Sequence, residues 1–521
     1  MHDTQVIIIG GSLVGLSAAA FLAWRGVKTI VIEKHRGSAL HPRATGFTEH
    51  TLEFYRAIGI ADRIPTVDPG FRLRRATVES LVGAVTHEAV WTPSDTPAAA
   101  TPERALSPAG MAAFAQDKLE PILRSRSAEL GADLRLGTEL LSFEKTDIGV
   151  TVKVRERETG RQYALSAAYM IAADGADSPV RDALGIERHG VGHIMNIRSV
   201  LFHCPAADTY LDRGFQQFEI DQEDFKAFLT TYGDGRWVLM FYGGEAKPAQ
   251  DYAGDIRRAL GVDLPFEIIT SGAWEMAGRI ADTYSKGRIF LAGDAAHQLP
   301  PTRGGFGANT GIDDAWNLAW KLQLVLDGTS NPSLLTSYTQ ERQPIGWLRH
   351  QQTFARPDYA RYVGNALAGE TLYDDKAMEL GQLHRSNIIM GAGDDLPASA
   401  HPDEWAGQPG TRAPHLWVDV NRHTSTIDLF TRQFTLVTEN PDWIREADTA
   451  RDETGLTLTR LHVGRQVFIN DAKSFATAFG TGSEGAALVR PDGLICWRTS
   501  RAPDRTSDSL TTVLRRTAAL A

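Results

Sequence analysis

The chain has 521 residues, 42% of them hydrophobic and 23% charged, with 48 glycines; this is globular composition with room for two or three cores. Its formal net charge is −10, with both signs scattered along the chain, which excludes the basic surplus of a nucleic-acid binder. Only two cysteines occur, Cys204 and Cys496, so no disulfide framework is expected, as suits a reducing cytoplasm.

The first apolar run, Val6 to Ile9, leads straight into a glycine turn, so no signal peptide is expected. Ala18 to Trp24 falls far short of the ~20 residues of a membrane span, and the expected location is the cytoplasm. Val6 to Ile9 is a β-branched run suited to a buried parallel strand. Gly10-Gly11-Ser12-Leu13-Val14-Gly15 follows as a tight turn, and Leu16, Ala19, Ala20 and Ala23 recur at helical spacing. Gly26 ends that helix, and Val27 to Glu33 forms the next strand, completing a βαβ unit of dinucleotide-binding type. Such a turn brings backbone N–H groups and the positive end of a helix against a pyrophosphate. Gly10 and Gly15 fill the first and third positions of G-x-G-x-x-G, and Ser12 replaces the second glycine. Glu33 is placed to accept ribose hydroxyls, with Lys34 beside it. Gly10, Ser12, Leu13, Val14, Gly15, Glu33 and Lys34 are therefore candidate cofactor contacts.

Residues 104 to 185 alternate helix and strand patterns. Residues 186 to 275 read as short aromatic strands, such as Arg236 to Tyr242, and are assigned to a sheet-rich substrate domain. Tyr232, Trp237, Phe241 and Tyr242 are expected to line its pocket, although most Trp and Phe in any chain are core residues. At Arg288 to Ala292 the α/β texture returns with a strand, a Gly-rich loop and a helix from about Thr310 to Leu326. Residues 393 to 411, rich in Gly, Pro and Asp, read as a linker to a smaller α/β region. A literal G-x-G-x-x-G recurs at Gly480 to Gly485, but a strand and the turn Pro491-Asp492-Gly493 follow it, so no helix start offers an anion site. Cys496 has no C-x-x-C partner and cannot perform dithiol exchange. The histidines lack metal-ligand spacing, and no metal is expected.

Ala173-Asp174-Gly175-Ala176-Asp177-Ser178 and Gly293-Asp294-Ala295-Ala296-His297 are two further segments in order. Pro300 to Gly311, Asp314 and Asn317 to Leu322 complete the run. Together they resemble the class A FAD-dependent aromatic hydroxylases, in particular the polyketide and phenol hydroxylases with a p-hydroxybenzoate-hydroxylase-like fold. Gly410 to His415 and Pro491 to Gly493 resemble landmarks of that group's carboxyl-terminal thioredoxin-like domain. The resemblance implies an α/β protein with three parts. A Rossmann-like FAD-binding domain takes residues 1–74, 104–185 and 276–392; an inserted sheet-rich substrate domain takes 75–103 and 186–275; a thioredoxin-like domain takes 393–521. It further implies that Asp294 holds the ribityl chain, that Arg43 and Gln116 lie against FAD, and that Gly307, Ala308 and Asn309 face the pyrimidine edge of the flavin. Leu140, Asp174, Gly293, Pro301, Gly304 and Gly305 are also placed among the cofactor contacts. His297 reads as structural rather than as a catalytic base.

The implied activity is hydroxylation of an aromatic or polyketide substrate. NADPH reduces FAD, and a flavin hydroperoxide delivers one oxygen from O2. A monomer or homodimer is expected. The Pro301 to Asn309 loop is one residue longer than the commonest form of the group and carries Arg303, which joins Arg43 as a candidate catalytic cation. That difference leaves a second reading, a redox-neutral FAD-dependent cyclase of the same fold that folds a polyene into a decalin. A halogenase would carry W-x-W-x-I-P, which does not occur. A non-catalytic FAD scaffold gives no reason for the aromatic second domain.

Overall fold

The computed structural model describes residues 2–38, 41, 44–68, 71, 73–89, 104–244, 248–301, 306–364, 367, 369–430, 432–471, 473–503 and 509–520. Four of the site residues anticipated above, Arg43, Arg303, Gly304 and Gly305, lie outside them.

The opening crossover forms as its sequence requires. Strand Thr4–Ile9 pairs in parallel with Thr29–Glu33 on one side and with Gln162–Ala172 on the other. Strand Ile289–Leu291 extends the parallel set beyond Gln162–Ala172, and Asp133–Leu136 extends it beyond Thr29–Glu33. Val6, Ile7 and Ile8 are fully buried because both faces of the sheet are covered. Helix Leu13–Trp24 crosses between the first two strands and packs Ala18, Ala19, Ala20, Phe21 and Leu22 into the same core.

A second sheet of eight strands runs His297–Gln298, Glu267–Ala281, Arg188–His203, Arg236–Tyr242, Lys226–Thr231, Gln217–Asp221, Arg75–Val78, Val85–Glu88. Side chains alternate across it. The outer face (Val200, Phe202, Phe218, Leu229, Leu239) packs on helix Ala253–Leu260 in a core of its own. The inner face turns toward the first unit, since Arg236 on that face pairs with Asp117 of helix Gln116–Glu129 at 2.7 Å.

The carboxyl-terminal sheet has the order Leu458–His462, Phe434–Thr438, Ala486–Val489, Ile495–Thr499, with the first two strands parallel and the rest antiparallel. Helices Pro441–Thr454, Phe475–Phe479 and Leu510–Thr517 complete a thioredoxin-like βαβαββα order. Gly480 closes the short second helix, and strand Ala486–Val489 follows, so the second glycine motif has no helix to serve. Burial pushes the Cys496 thiol up to about 12, which removes it from redox chemistry.

Residues 393–411 are not a free linker. Leu383 N–H donates to Ala398, His384 N–H to Gly410, and Gly410 N–H to Ile495, at 3.0, 2.8 and 2.7 Å. Composition suggested a loop because it cannot show the partner backbone. Both carboxyl-terminal landmarks are docking points. Arg412 is ion-paired with Glu53, which also accepts Ser107 Oγ at 2.5 Å. Arg490 forks onto Glu341 (2.6 and 3.0 Å) and Asp492 (2.6 and 3.0 Å). Glu341 also accepts Lys321 and Asn317 at 2.8 Å, and Asp492 accepts the Trp320 indole at 3.0 Å. Burial brings the Lys321 ammonium down to about 8. Burial alone would raise the Glu341 carboxyl; Arg490 and Lys321 outweigh it and hold it well below its ordinary value.

Candidate functional site

The carboxyl ends of the parallel strands bring the separated motifs to one place. Gly10 has φ +103, and a Cβ there would lie 2.2 Å from the Ala173 carbonyl oxygen. A Cβ on Gly15 would lie 1.9 Å from the Gly10 oxygen. Glycine at both positions therefore lets the turn close onto its own strand and onto the 173–178 segment. Ser12 is the N-cap of helix Leu13–Trp24 in extended conformation, yet its side chain does not cap the helix, and no acidic residue occupies the first turn. The first-turn amides are left open, as an anion site requires. The Ser12 hydroxyl instead donates to Glu120 Oε1 at 2.7 Å and accepts from Gln116 Nε2 at 2.9 Å. Gln116 thus reaches the turn, and Glu120, buried behind it, is a supporting residue that the sequence did not single out.

Glu33 accepts Gly11 N–H at 2.6 Å and His35 N–H at 2.7 Å, which fixes its carboxylate at the strand end. Lys34 is exposed in an open groove with His35, Arg36 and Arg157. Leu140 packs against the first core from strand Thr138–Lys145.

Asp174 Oδ2 accepts Val180 N–H at 3.2 Å, while its Oδ1 is buried with no partner among the described residues. Burial raises its carboxyl above the ordinary value. Asp294 sits in the short turn Gly293–Ala295 and is bonded by no described residue. Arg181, buried on helix Pro179–Ala183, donates to the Ala176 and Ala295 carbonyls at 2.9 and 3.2 Å. It locks the two signature segments together; no sequence signal marks it, since both acceptors are main-chain.

The long helix begins at Phe306 rather than at Thr310. Gly307, Ala308 and Asn309 therefore belong to its first turn, where main-chain N–H groups lack intrahelical acceptors. The Gly-rich composition suggested loop, but Asn309 anchors the turn. Its Oδ1 accepts Thr48 N–H (3.1 Å) and Thr51 Oγ1 (2.6 Å), and its Nδ2 donates to Gly46 (3.1 Å). A Cβ on Gly311 would lie 2.6 Å from Val14 and 2.8 Å from Gly293 Cα. The amino ends of the two helices and the 293–295 turn thus meet at one point. Pro301 is exposed, its carbonyl accepting the Tyr359 hydroxyl.

His297 is fully buried and its Nε2 pairs with Asp314 at 2.6 Å. Asp314 also accepts Gly293 N–H (3.1 Å) and Arg342 Nε (2.8 Å). Burial alone would raise the Asp314 carboxyl; His297 and Arg342 outweigh it and hold it below its ordinary value. This triad supports the Gly293 turn from behind.

The expectation that Trp237 and Phe241 line the substrate pocket is not met. Both point to the outer face: Trp237 Nε1 donates to Asp208 at 2.9 Å, and Phe241 stacks on Tyr252 at 5.9 Å. Strand alternation sends Val238, Met240 and Tyr242 to the inner face instead, and Tyr242 is 45% exposed there. Tyr232 lies in the preceding hairpin turn against the Arg236 guanidinium. An aromatic run shows only that the strand is buried; which half faces the cofactor depends on what packs behind the sheet.

An adenine dinucleotide of flavin fits this donor set. The uncapped helix, the unpartnered Asp174 Oδ1 and Asp294 carboxylate, and the second open helix turn are polar groups prepared for a ligand with a pyrophosphate, hydroxyls and an anionic ring edge.

Residues 3–353 match the FAD binding domain family, and residues 406–520 match the family described as aromatic-ring hydroxylase, C-terminal. The 4-methyl-5-nitrocatechol 5-monooxygenase of a Burkholderia species is 37% identical, covering 98% of this chain and 97% of its own. The tetracenomycin B2 monooxygenase-dioxygenase of Streptomyces olivaceus is 36% identical over 99% and 98% of the two chains. A crystal structure of aklavinone-11 hydroxylase with FAD and aklavinone superposes with a TM-score of 0.86 at 32% identity, covering 99% of each chain.

Proposed function

This chain belongs to the FAD-dependent aromatic-ring hydroxylases, and on that footing we propose that it oxygenates a polycyclic, polyketide-type aromatic in the cytoplasm, with NADPH as reductant and O2 as co-substrate. Support for the substrate class comes from the relative named as a tetracenomycin B2 monooxygenase-dioxygenase and from the aklavinone complex. One observation carries the reading: the Gly10–Gly15 turn, the Asp174 segment, the Asp294 turn and the first turns of helix Phe306–Leu326 meet at one place. Two buried cysteines and the absence, among the described residues, of a helix long and apolar enough to cross a membrane agree with the location.

When bound, FAD supplies the electron transfer and oxygen activation that amino-acid side chains lack. Glu33 would hold the adenosine ribose, and the open amides of helix Leu13–Trp24 the pyrophosphate. Gln116 and Glu120 orient Ser12 beside that turn. Asp294 would take the ribityl hydroxyls. The amides at Gly307, Ala308 and Asn309 would meet the pyrimidine edge, where the helix dipole favours the negative charge of the reduced ring. The His297–Asp314–Arg342 triad keeps Gly293 and Thr310 in register for that task.

The test is product mass analysis of the holoenzyme with oxygenated polycyclic aromatics, with and without NADPH. A product heavier by one oxygen, formed only with NADPH consumption, is expected. An isomer of unchanged mass formed without NADPH would overturn the reading in favour of redox-neutral cyclisation.

A further inference from the structure

Arg342, on helix Thr336–Ala355, is a fully buried guanidinium that braces the cofactor turns from behind. Its Nε donates to Asp314 at 2.8 Å, and its Nη2 donates to the Thr310 carbonyl at 3.2 Å. Its Nη1 pairs with Asp313 at 2.5 Å and donates to His384 Nε2 at 3.1 Å. Thr310, Asp313 and Asp314 all belong to helix Phe306–Leu326, whose first turn is open. His384 comes from elsewhere.

The carboxyl-terminal region holds the other side of that imidazole. His384 Nδ1 donates to the Gly410 carbonyl at 3.3 Å, and the His384 main-chain N–H donates to the same oxygen at 2.8 Å. Gly410 N–H in turn donates to Ile495, in strand Ile495–Thr499, at 2.7 Å. His384 is 5% exposed, and burial, with the Arg342 guanidinium beside it, brings its imidazole down to about 4. The ring is therefore neutral near pH 7. Its one proton sits on Nδ1, because a guanidinium offers only donors and Nε2 must accept. A chain of buried bonds thus runs from Ile495 through Gly410, His384, Arg342 and Asp314 to the Gly293 N–H, with a branch to Thr310. Without Nε2, one guanidinium hydrogen loses its acceptor, and Arg342 is no longer fixed in the geometry that holds both turns.

We propose that His384 is a positioning residue for the flavin: through Arg342 it sets the open amides at Gly307, Ala308 and Asn309, and so makes docking of the carboxyl-terminal region raise the flavin reduction potential. The assignment rests on the placement of FAD proposed above and adds a reason for the carboxyl-terminal region to be packed against it. Reduced flavin carries its negative charge at the pyrimidine edge, and hydrogen bonds to a charged acceptor are about twice as strong as neutral ones. Displaced amides therefore weaken the hold on reduced FAD more than on oxidised FAD.

The test measures the two-electron potential of the FAD-loaded enzyme, without substrate, against a reference dye. Two variants separate the two ring nitrogens. His384→Gln reaches as far as Nε2 and keeps an acceptor for Arg342, whereas His384→Asn reaches only as far as Nδ1 and bonds Gly410 alone. In His384→Asn the ratio of reduced to oxidised flavin at a fixed dye potential should fall about tenfold, a potential about 30 mV lower. His384→Gln should stay within about twofold of wild type. A merely structural imidazole would lower stability without moving the potential. If His384→Asn sheds FAD during purification, the same factor is read from its dissociation constants for reduced and oxidised FAD, whose ratio shifts with the potential. A wild-type potential in His384→Asn, an unchanged ratio of those constants, or a shift in His384→Gln as large as in His384→Asn each overturns the assignment. If wild type forms no oxygenated product while the two variants differ as stated, the reading of the reaction fails and the role of His384 stands.

Discussion

Arg490→Met removes the guanidinium that ties the carboxyl-terminal hairpin to the helices beneath it while roughly keeping its volume. Arg490 makes four short bonds, two to Glu341 and two to Asp492, and all three side chains are buried. After the change Glu341 keeps Lys321 and Asn317, and Asp492 keeps the Trp320 indole, so one ammonium faces two buried carboxylates. Breaking a buried pair on one side costs about 3–5 kcal/mol. The shift in melting temperature then depends on how much of the chain unfolds together. Unfolding entropy runs near 2.1 cal/mol/K per residue, so a single transition of the whole chain falls by about 3–5 °C. If the matched carboxyl-terminal region, residues 406–520, melts on its own, the same cost lowers its transition by about 12–20 °C. Differential scanning calorimetry of the FAD-loaded protein, with flavin release followed by fluorescence, reads both numbers. A shift below about 1 °C in every transition, well under either value, would refute the claim that this network docks the two parts.

Glu379, buried on helix Asp375–Leu380, has its carboxyl pushed up to about 8 by burial, from 4.5. Its folded value lies above the unfolded one, so its contribution is present at acid pH and is lost as pH rises from 4.5 through 8. Glu379→Gln should therefore be more stable than the parent at pH 8.5, by about 4–5 kcal/mol, and close to it near pH 5; parallel urea midpoints across that range would contradict this. Asp294→Ala removes a carboxylate that no described residue bonds, and should weaken FAD retention about tenfold or more while leaving the fold intact, read as the flavin-to-protein absorbance ratio after gel filtration. Trp237→Phe leaves Asp208 without its indole donor and should cost about 1–3 kcal/mol of stability with substrate affinity unchanged; a selective loss of substrate binding would return Trp237 to the pocket. Gly15→Ala places a methyl against the Gly10 carbonyl and should yield protein that does not hold FAD, whereas a fully yellow preparation would show that the turn tolerates the side chain.

The sequence by itself determined the amino-terminal crossover, because the β-branched run, the glycine turn, the helical stripe and Glu33 each follow from contacts within about 30 residues. It also marked Asp174, Asp294 and Asn309, whose neighbours form recognisable segments, and it dismissed Gly480 to Gly485 because no helix follows. The tertiary structure alone decided three other matters. Trp237 and Phe241 fall on the outer face because helix Ala253–Leu260 covers that side, and alternation then gives the inner face to Ser199, Met240 and Tyr242. Arg181, Glu120 and Arg490 act through partners more than 100 residues away in the chain, one of them a main-chain carbonyl that carries no residue signature. Residues 393–411 look like a linker in composition yet are bonded along their backbone to strand Ile495–Thr499 and to residues 383–384. Periodicity records which residues are buried; it does not record what they are buried against, because that is set by packing between segments distant in sequence.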